Sequence, residues 1–219
     1  TSINRLVVLS VVCVVALSLS LVPALEASEP EQVTSSGQQI SADEALELLK
    51  KGNRRFASGH SEHPHEGIDW RKRLKSGQKP FATILGCSDS RVIPELIFDE
   101  GLGDLFVIRV AGNIVDEDVM GSIEYAVDHL DTHLIVVLGH ENCGAVTAAL
   151  AELDSDEPRE LSSLVNHLHK SIYEHHDGEP DVGDESPIAI AVRKNVLCAV
   201  RQLKACQDLG ECIDEHKVK

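Results

Sequence analysis

Aromatic side chains are scarce in this chain: one Trp, two Tyr and four Phe among 219 residues. Apolar residues still make up 42%, so a core can form, but it has to be aliphatic. Positive charge is short as well. Lys and Arg total 20 against 36 Asp and Glu, a formal net charge of −16. Such a surface repels phosphate backbones, which speaks against nucleic acid as a partner. It also disfavours an anionic membrane surface for the folded part. The composition excludes collagen, coiled coil and wholesale disorder, and there are no internal repeats. Six Cys over this length do not make a small disulfide scaffold. Together with eleven His they leave metal binding open.

The one long apolar run lies at the start. Arg5 precedes uncharged residues 6–22, then come Pro23 and the small-residue stretch Ala24-Leu25-Glu26-Ala27-Ser28. A basic end, an apolar middle and a small-residue cleavage zone describe a secretory signal peptide over residues 1–27. An uncleaved anchor is the alternative, since the run is at the lower limit for a span. Residues 28–219 then form the mature domain, secreted or periplasmic. Exposed Cys pair in such a compartment unless metal or burial protects them. Cys13, inside the apolar run, is filler.

Further on, Ser41-Ala42-Asp43-Glu44 is a capping box that opens a helix over residues 41–58. Residues 59–69 read as a loop. They carry His60, His63 and His65, with Glu62 and Glu66 nearby, but no helix fixes them as ligands, and a solvated loop is the simpler expectation. The centre alternates. Strands are expected over 81–86, 105–110 and 134–138, the last buried on both faces. Helices are expected after Pro94, over 121–130 and over 145–153. Such alternation predicts an α/β fold with a mostly parallel sheet flanked by helices. A helix over 161–175, an acidic linker over 178–186 and one long helix over 187–209 complete the pattern.

In an open parallel sheet, ligands gather beyond the carboxyl ends of strands. The first strand runs into Cys87-Ser88-Asp89-Ser90-Arg91 and the third into His140-Glu141-Asn142-Cys143-Gly144. If these strands are neighbours, Cys87, His140 and Cys143 converge. Two thiolates and one imidazole suit Zn²⁺, and three protein ligands leave a fourth tetrahedral position open, the catalytic pattern. A structural zinc site wants a fourth protein ligand. A zinc deaminase would need H-x-E followed by P-C-x-x-C, which is absent. A nucleophilic Cys87 assisted by Arg91, or a Cys87–Cys143 disulfide, stays open at this level.

The paired motifs resemble the β-class carbonic anhydrases. So do Gly52-Asn53-Arg54-Arg55-Phe56, the stretch 103–113 and Glu124-Tyr125-Ala126-Val127, and the likeness runs from about residue 41 to 207. The resemblance implies reversible hydration of CO₂ to bicarbonate on Zn²⁺ held by Cys87, His140 and Cys143. It implies that Arg91 keeps Asp89 ionised and that Asp89 orients the attacking oxygen. It also implies a substrate pocket touched by Gln78, Phe106 and Tyr125, and a homodimer or homotetramer embraced by the N-terminal helical arm. In some members the Asp becomes a fourth metal ligand. The bicarbonate-inhibited type carries a Trp three residues before the first ligand Cys, where this chain has Ile84. An open site near neutral pH is therefore expected, with Asp89 as a fourth ligand only in a closed, low-pH form. Hydrolysis of carbonyl sulfide or carbon disulfide, and non-catalytic zinc binding, are the competing functions. The family continues past its last helix with another strand, about where this sequence ends, which reads as a truncation. Cys198 is expected in the core, and Cys206 and Cys212 are close enough in sequence to pair.

Overall fold

The structure, a computed structural model, describes residues 40–151, 158–173, 186–215 and 217–219. The signal-peptide reading of residues 1–27 and most of the expected acidic linker lie outside these residues.

Among the described residues three strands form the sheet: β1 (Ala82–Gly86), β2 (Leu105–Arg109) and β3 (Ile135–Leu138). They are parallel and ordered β2-β1-β3. The α/β expectation therefore holds. The buried strand is β1, not β3. Every residue of β1 is buried, whereas those of β3 are only half-buried. The reason is position: β1 has a neighbour on each side, and β3 lies at an edge. That edge is engaged at one end by the last residue, since Lys219 N–H donates to His133 O and Lys219 O accepts from Ile135 N–H, both at 2.9 Å.

Alternation along β1 feeds two aliphatic cores. Ala82 and Ile84 pack with Ala45 and Leu49 of α1 (Ala42–Ala57). Leu85 points the other way, into a cluster with Ile123 of α4 (Glu117–Leu130), Leu203 of α7 (Pro187–Ala205) and Leu209 of α8 (Gln207–Asp214). Full burial of each Leu or Ile side chain here is worth about 1.5–3 kcal/mol. A third cluster joins α5 (Gly144–Leu150), α6 (Arg159–Tyr173) and α7, and it includes Cys87 and Cys143.

Local signals set most boundaries. Ser41 and Glu44 form the expected capping box on α1. Pro94 opens the short α3 (Pro94–Ile97). α4 starts before the expected residue 121, because the Asp116 side chain accepts from Val119 N–H and caps it. The short α2 (Ile68–Arg73) was not expected, being too brief for a periodic signal. The long final helix is broken in two. Cys206 is extended (φ −66°, ψ 131°), and its thiol donates to Glu124 Oε1 at 3.1 Å. Gly210 lets α8 turn back, since a Cβ there would stand 2.7 Å from Lys204 O. Cys206 and Cys212 are free thiols, and Cys198 is buried as expected. Among the described residues no helix is long and apolar enough to cross a membrane.

The His-bearing loop is exposed over most of its length, as expected, and is anchored at two points. Buried Asp99 accepts from the backbone N–H groups of Glu62 and His63 and from Arg55. His65 Nδ1 lies 2.6 Å from Asp104 Oδ2, and the ring stacks on Trp70 with centroids 3.8 Å apart. Of its three His only His65 packs into the fold, His60 and His63 are exposed, and the three do not gather as ligands.

Gly52 marks where α1 crosses the end of α3. A Cβ there would fall 1.6 Å from Phe98 O, so Gly52→Ala is expected to destabilise the chain by about 2–4 kcal/mol in urea melts. The Glu100 carboxyl lies over the same crossing. Burial, then Asp104 nearby, pushes its pKa up to about 8 from 4.5, with Asp99 adding to the rise while Arg55 and Lys51 oppose it. Between those pH values the folded state holds a proton that the unfolded chain has lost, so stability falls as pH rises through the window. Glu100→Gln mimics the protonated form. It is expected to change unfolding free energy little at pH 5 and to raise it at pH 8 by on the order of 1–2 kcal/mol. Equal effects at both pH values would contradict the burial argument.

Candidate metal centre

The register of the sheet builds this site. Gly86 of β1 pairs with Leu138 of β3, so Cys87 and the Gly139-His140 pair leave the sheet side by side. Gly139 is needed for the exit, because a Cβ there would meet Val196 Cγ2 of α7 at 2.6 Å. The chain then turns through Asn142 (φ 53°) to Cys143, the N-cap of α5.

One ligand atom from each of Cys87, His140 and Cys143 lies within 4.8 Å of the others. Among the described residues, no other three His, Cys, Asp or Glu side chains meet this way. The sulfurs are 3.9 Å apart. A disulfide needs about 2.05 Å. Two thiolates bound at about 2.3 Å to one tetrahedral zinc lie about 3.8 Å apart. His140 Nδ1–H donates to Glu141 O at 3.0 Å, which leaves the lone pair on Nε2. That Nε2 is buried and has no hydrogen-bond partner. Soft thiolates and an orphaned imidazole nitrogen fit a zinc ion.

The electrostatics agree. The Cys143 thiol donates to Cys87, and together with the N–H groups of Gly112 and Asp89 it holds Cys87 well below the ordinary thiol range despite burial. The same bond, and then burial, push Cys143 up. Ionising both sulfurs at this separation therefore calls for a cation between them.

Asp89 is held by Arg91. Arg91 Nε donates to Oδ1 at 2.9 Å and Nη2 to Oδ2 at 2.7 Å, while the Arg91 backbone N–H also reaches Oδ1 at 3.0 Å. The Arg91 side-chain bonds, foremost, hold the carboxyl well below the usual carboxylate range. Asp89 Oδ2 stands 3.9 Å from His140 Nε2, so the carboxylate faces the site without joining it. Arg91 Nη2 also donates to Asn142 O at 3.1 Å and links the two ligand loops.

Two supporting residues escaped the sequence reading. Arg109, at the end of β2, donates to Cys87 O at 2.9 Å and Asp89 O at 2.6 Å. Gly112 N–H donates to Cys87 Sγ at 3.3 Å. The available signal was a lone charge ending an apolar strand, followed by Ala-Gly-Asn, a weak one. The expected pocket residues do not gather here. Phe106 pairs with Thr83, well before Cys87, and its ring lies 6.1 Å from that of Tyr125 on α4. Gln78 is exposed in the segment before β1.

A family model described as carbonic anhydrase matches residues 82–219. Over 110 residues the chain is 57% identical to carbonic anhydrase 2 of Mycobacterium tuberculosis, covering 50% of this chain and 53% of that protein. It is 32% identical over 158 residues to the carbonic anhydrase of Pseudomonas aeruginosa, covering 67% and 69%. The chain thus spans about half the length of the mycobacterial relative. Among solved structures, the β-carbonic anhydrase CcaA superposes with a TM-score of 0.60 at 28% identity, over 80% of each chain. One of two tetrameric β-carbonic anhydrases from Sordaria macrospora gives 0.59 at 28% identity, over 80% of this chain and 88% of that one. The matched stretch contains both ligand loops and all three strands, and with that likeness in sequence and fold the chain belongs to the β-carbonic anhydrase family.

Proposed function

We propose that the chain catalyses the reversible hydration of CO₂ to bicarbonate and a proton, with zinc held by Cys87, His140 and Cys143. The observation that carries this reading is the convergence of two sulfurs 3.9 Å apart with a buried, unpartnered His140 Nε2. When bound, zinc supplies the Lewis acidity that makes water nucleophilic near neutral pH. The protein's own part is orientation. Asp89, kept ionised by the Arg91 fork, can accept a hydrogen bond from the attacking water and aim its lone pair at the carbon. Arg109 holds the main chain on both sides of Ser88, so ligand and carboxylate stay in fixed relation. A metal carrying two thiolates is a weaker acidifier than one carrying three imidazoles, which puts more weight on these surrounding bonds.

Phe106 and Tyr125 stand apart from the metal group of their own chain, and Tyr125 is exposed. Their role in a substrate pocket therefore requires a second copy to present them, as does any role for Gln78. A homodimer or homotetramer is the assembly we propose, in keeping with the tetrameric relatives. The export features of residues 1–27 would put the reaction outside the cytoplasm.

The test is metal analysis with stopped-flow CO₂ hydration on the full chain. One zinc per chain and measurable turnover are expected. Cys87→Ser should lose both. Asp89→Ala should keep the metal and lose about 100-fold or more in kcat/KM. Turnover surviving in Cys87→Ser would defeat the reading, and so would full zinc loading without CO₂ hydration in the parent. Light scattering should give a mass at least twice that of one chain; a monomer with full activity would remove the two-copy pocket.

A further inference from the structure

A polar chain runs from helices α6 and α7 to the sulfur of Cys87. Ser171 and Asn195 are buried, at 4% and 2% exposure. Asn195 Nδ2 donates to Gly112 O at 2.7 Å, and Gly112 N–H donates to Cys87 Sγ at 3.3 Å. Ser171 Oγ lies 2.7 Å from Asn195 Oδ1 and 2.9 Å from Leu168 O, so one hydroxyl proton serves both acceptors. The amide orientation is unambiguous, because a backbone carbonyl accepts only from the NH₂ side.

Burying two side-chain polar groups costs free energy unless each finds a partner. A plain structural account would end there. Gly112 asks for more. It sits at φ 72° and is followed by Asn113 at φ 44°, two left-handed residues in succession. Glycine is the residue least able to hold a backbone direction by itself. Its N–H must nevertheless stay aimed at one sulfur. Leu168 closes one side, since a Cβ on Gly112 would stand 2.9 Å from Leu168 Cδ1. The Asn195 bond to Gly112 O fixes the other end of the residue.

Resting on the reading of Cys87 as a metal ligand, we propose that Asn195, oriented by Ser171, is a positioning residue for the metal centre. By anchoring the Gly112 carbonyl it keeps the Gly112 N–H on the Cys87 sulfur, which lowers the sulfur's electron density and secures the ligand's orientation. Residues far along the sequence, on two helices that supply no ligand, thereby tune the bond from Cys87 to the metal.

The test uses the full chain loaded with Co²⁺ for spectroscopy and with Zn²⁺ for affinity by chelator competition. Asn195→Leu keeps the side-chain volume and removes both bonds. It is expected to weaken zinc binding about tenfold. It should also move the thiolate-to-cobalt charge-transfer band to longer wavelength, as a sulfur without its N–H donor is easier to oxidise. Ser171→Ala should shift the band the same way by less. Thr132→Val removes the buried contact to Thr83 Oγ1, 2.9 Å away and unconnected to the site. It should lower thermal stability yet leave band and affinity alone. The inference is overturned if Asn195→Leu, or Ser171→Ala should the former not fold, shows the parent's band and zinc affinity. It is equally overturned if Thr132→Val shifts them as far. A parent with no charge-transfer band would remove the metal reading, and this inference with it.

Discussion

Two sulfurs 3.9 Å apart, buried and facing each other, are the constraint around which this molecule is arranged. With one proton lost they share the other, Cys143 donating to Cys87. As thiolates they repel, and only a cation between them, or donors around them, relieves that repulsion. The fold supplies the donors through the backbone: Gly112 and Asp89 for Cys87, Ala145 and Val146 for Cys143. Parallel pairing makes this economical. With Gly86 opposite Leu138, two adjacent strands deliver their next residues to the same spot, and neither loop has to reach.

Rigidity around the site comes from a few long side chains used as braces. Arg91 joins Asp89 to Asn142, so the loop after β1 is tied to the loop after β3. Arg109 ties the end of β2 to the same loop. These are charge-assisted bonds in partly exposed ground, where geometry counts for more than stability. Beneath them lies an aliphatic core with almost no aromatic contribution, in which small side chains such as Ala45, Ala82, Ala126 and Ala199 allow close approach of helices to the sheet. Glycines mark several close approaches: Gly52 at the end of α3, Gly139 on α7, Gly112 on α6.

The candidate site was legible in the sequence because its chemistry is carried by residue types that have few other uses together. Cys87 with His140 and Cys143, and Asp89 two positions from Arg91, stand at the ends of recognisable strands. What was hidden followed from long-range contacts. The extended break at Cys206 depends on Glu124 of another helix, and no local propensity announces it. The half-burial of β3, although all its residues are aliphatic, follows from strand order, which composition does not encode. The loop with His60, His63 and His65 reads as a solvated segment, and most of it is exposed, but its anchoring was hidden. It is held by Asp99 and Asp104, over thirty positions away, whose carboxylates carry no signature of that task.

By itself the sequence determined the alternation of strands and helices, the caps of α1 and α3, the aliphatic core and the identity of the ligand atoms. All of these depend on residue type and short-range spacing. Tertiary structure alone decided the strand order β2-β1-β3, and with it that Cys87 meets His140 and Cys143. It decided too that Arg109, Gly112 and Asn195 stand behind the first sulfur. Those arrangements require segments distant along the chain to pack at ångström precision, and such packing is a property of the whole core, not of any window of the sequence.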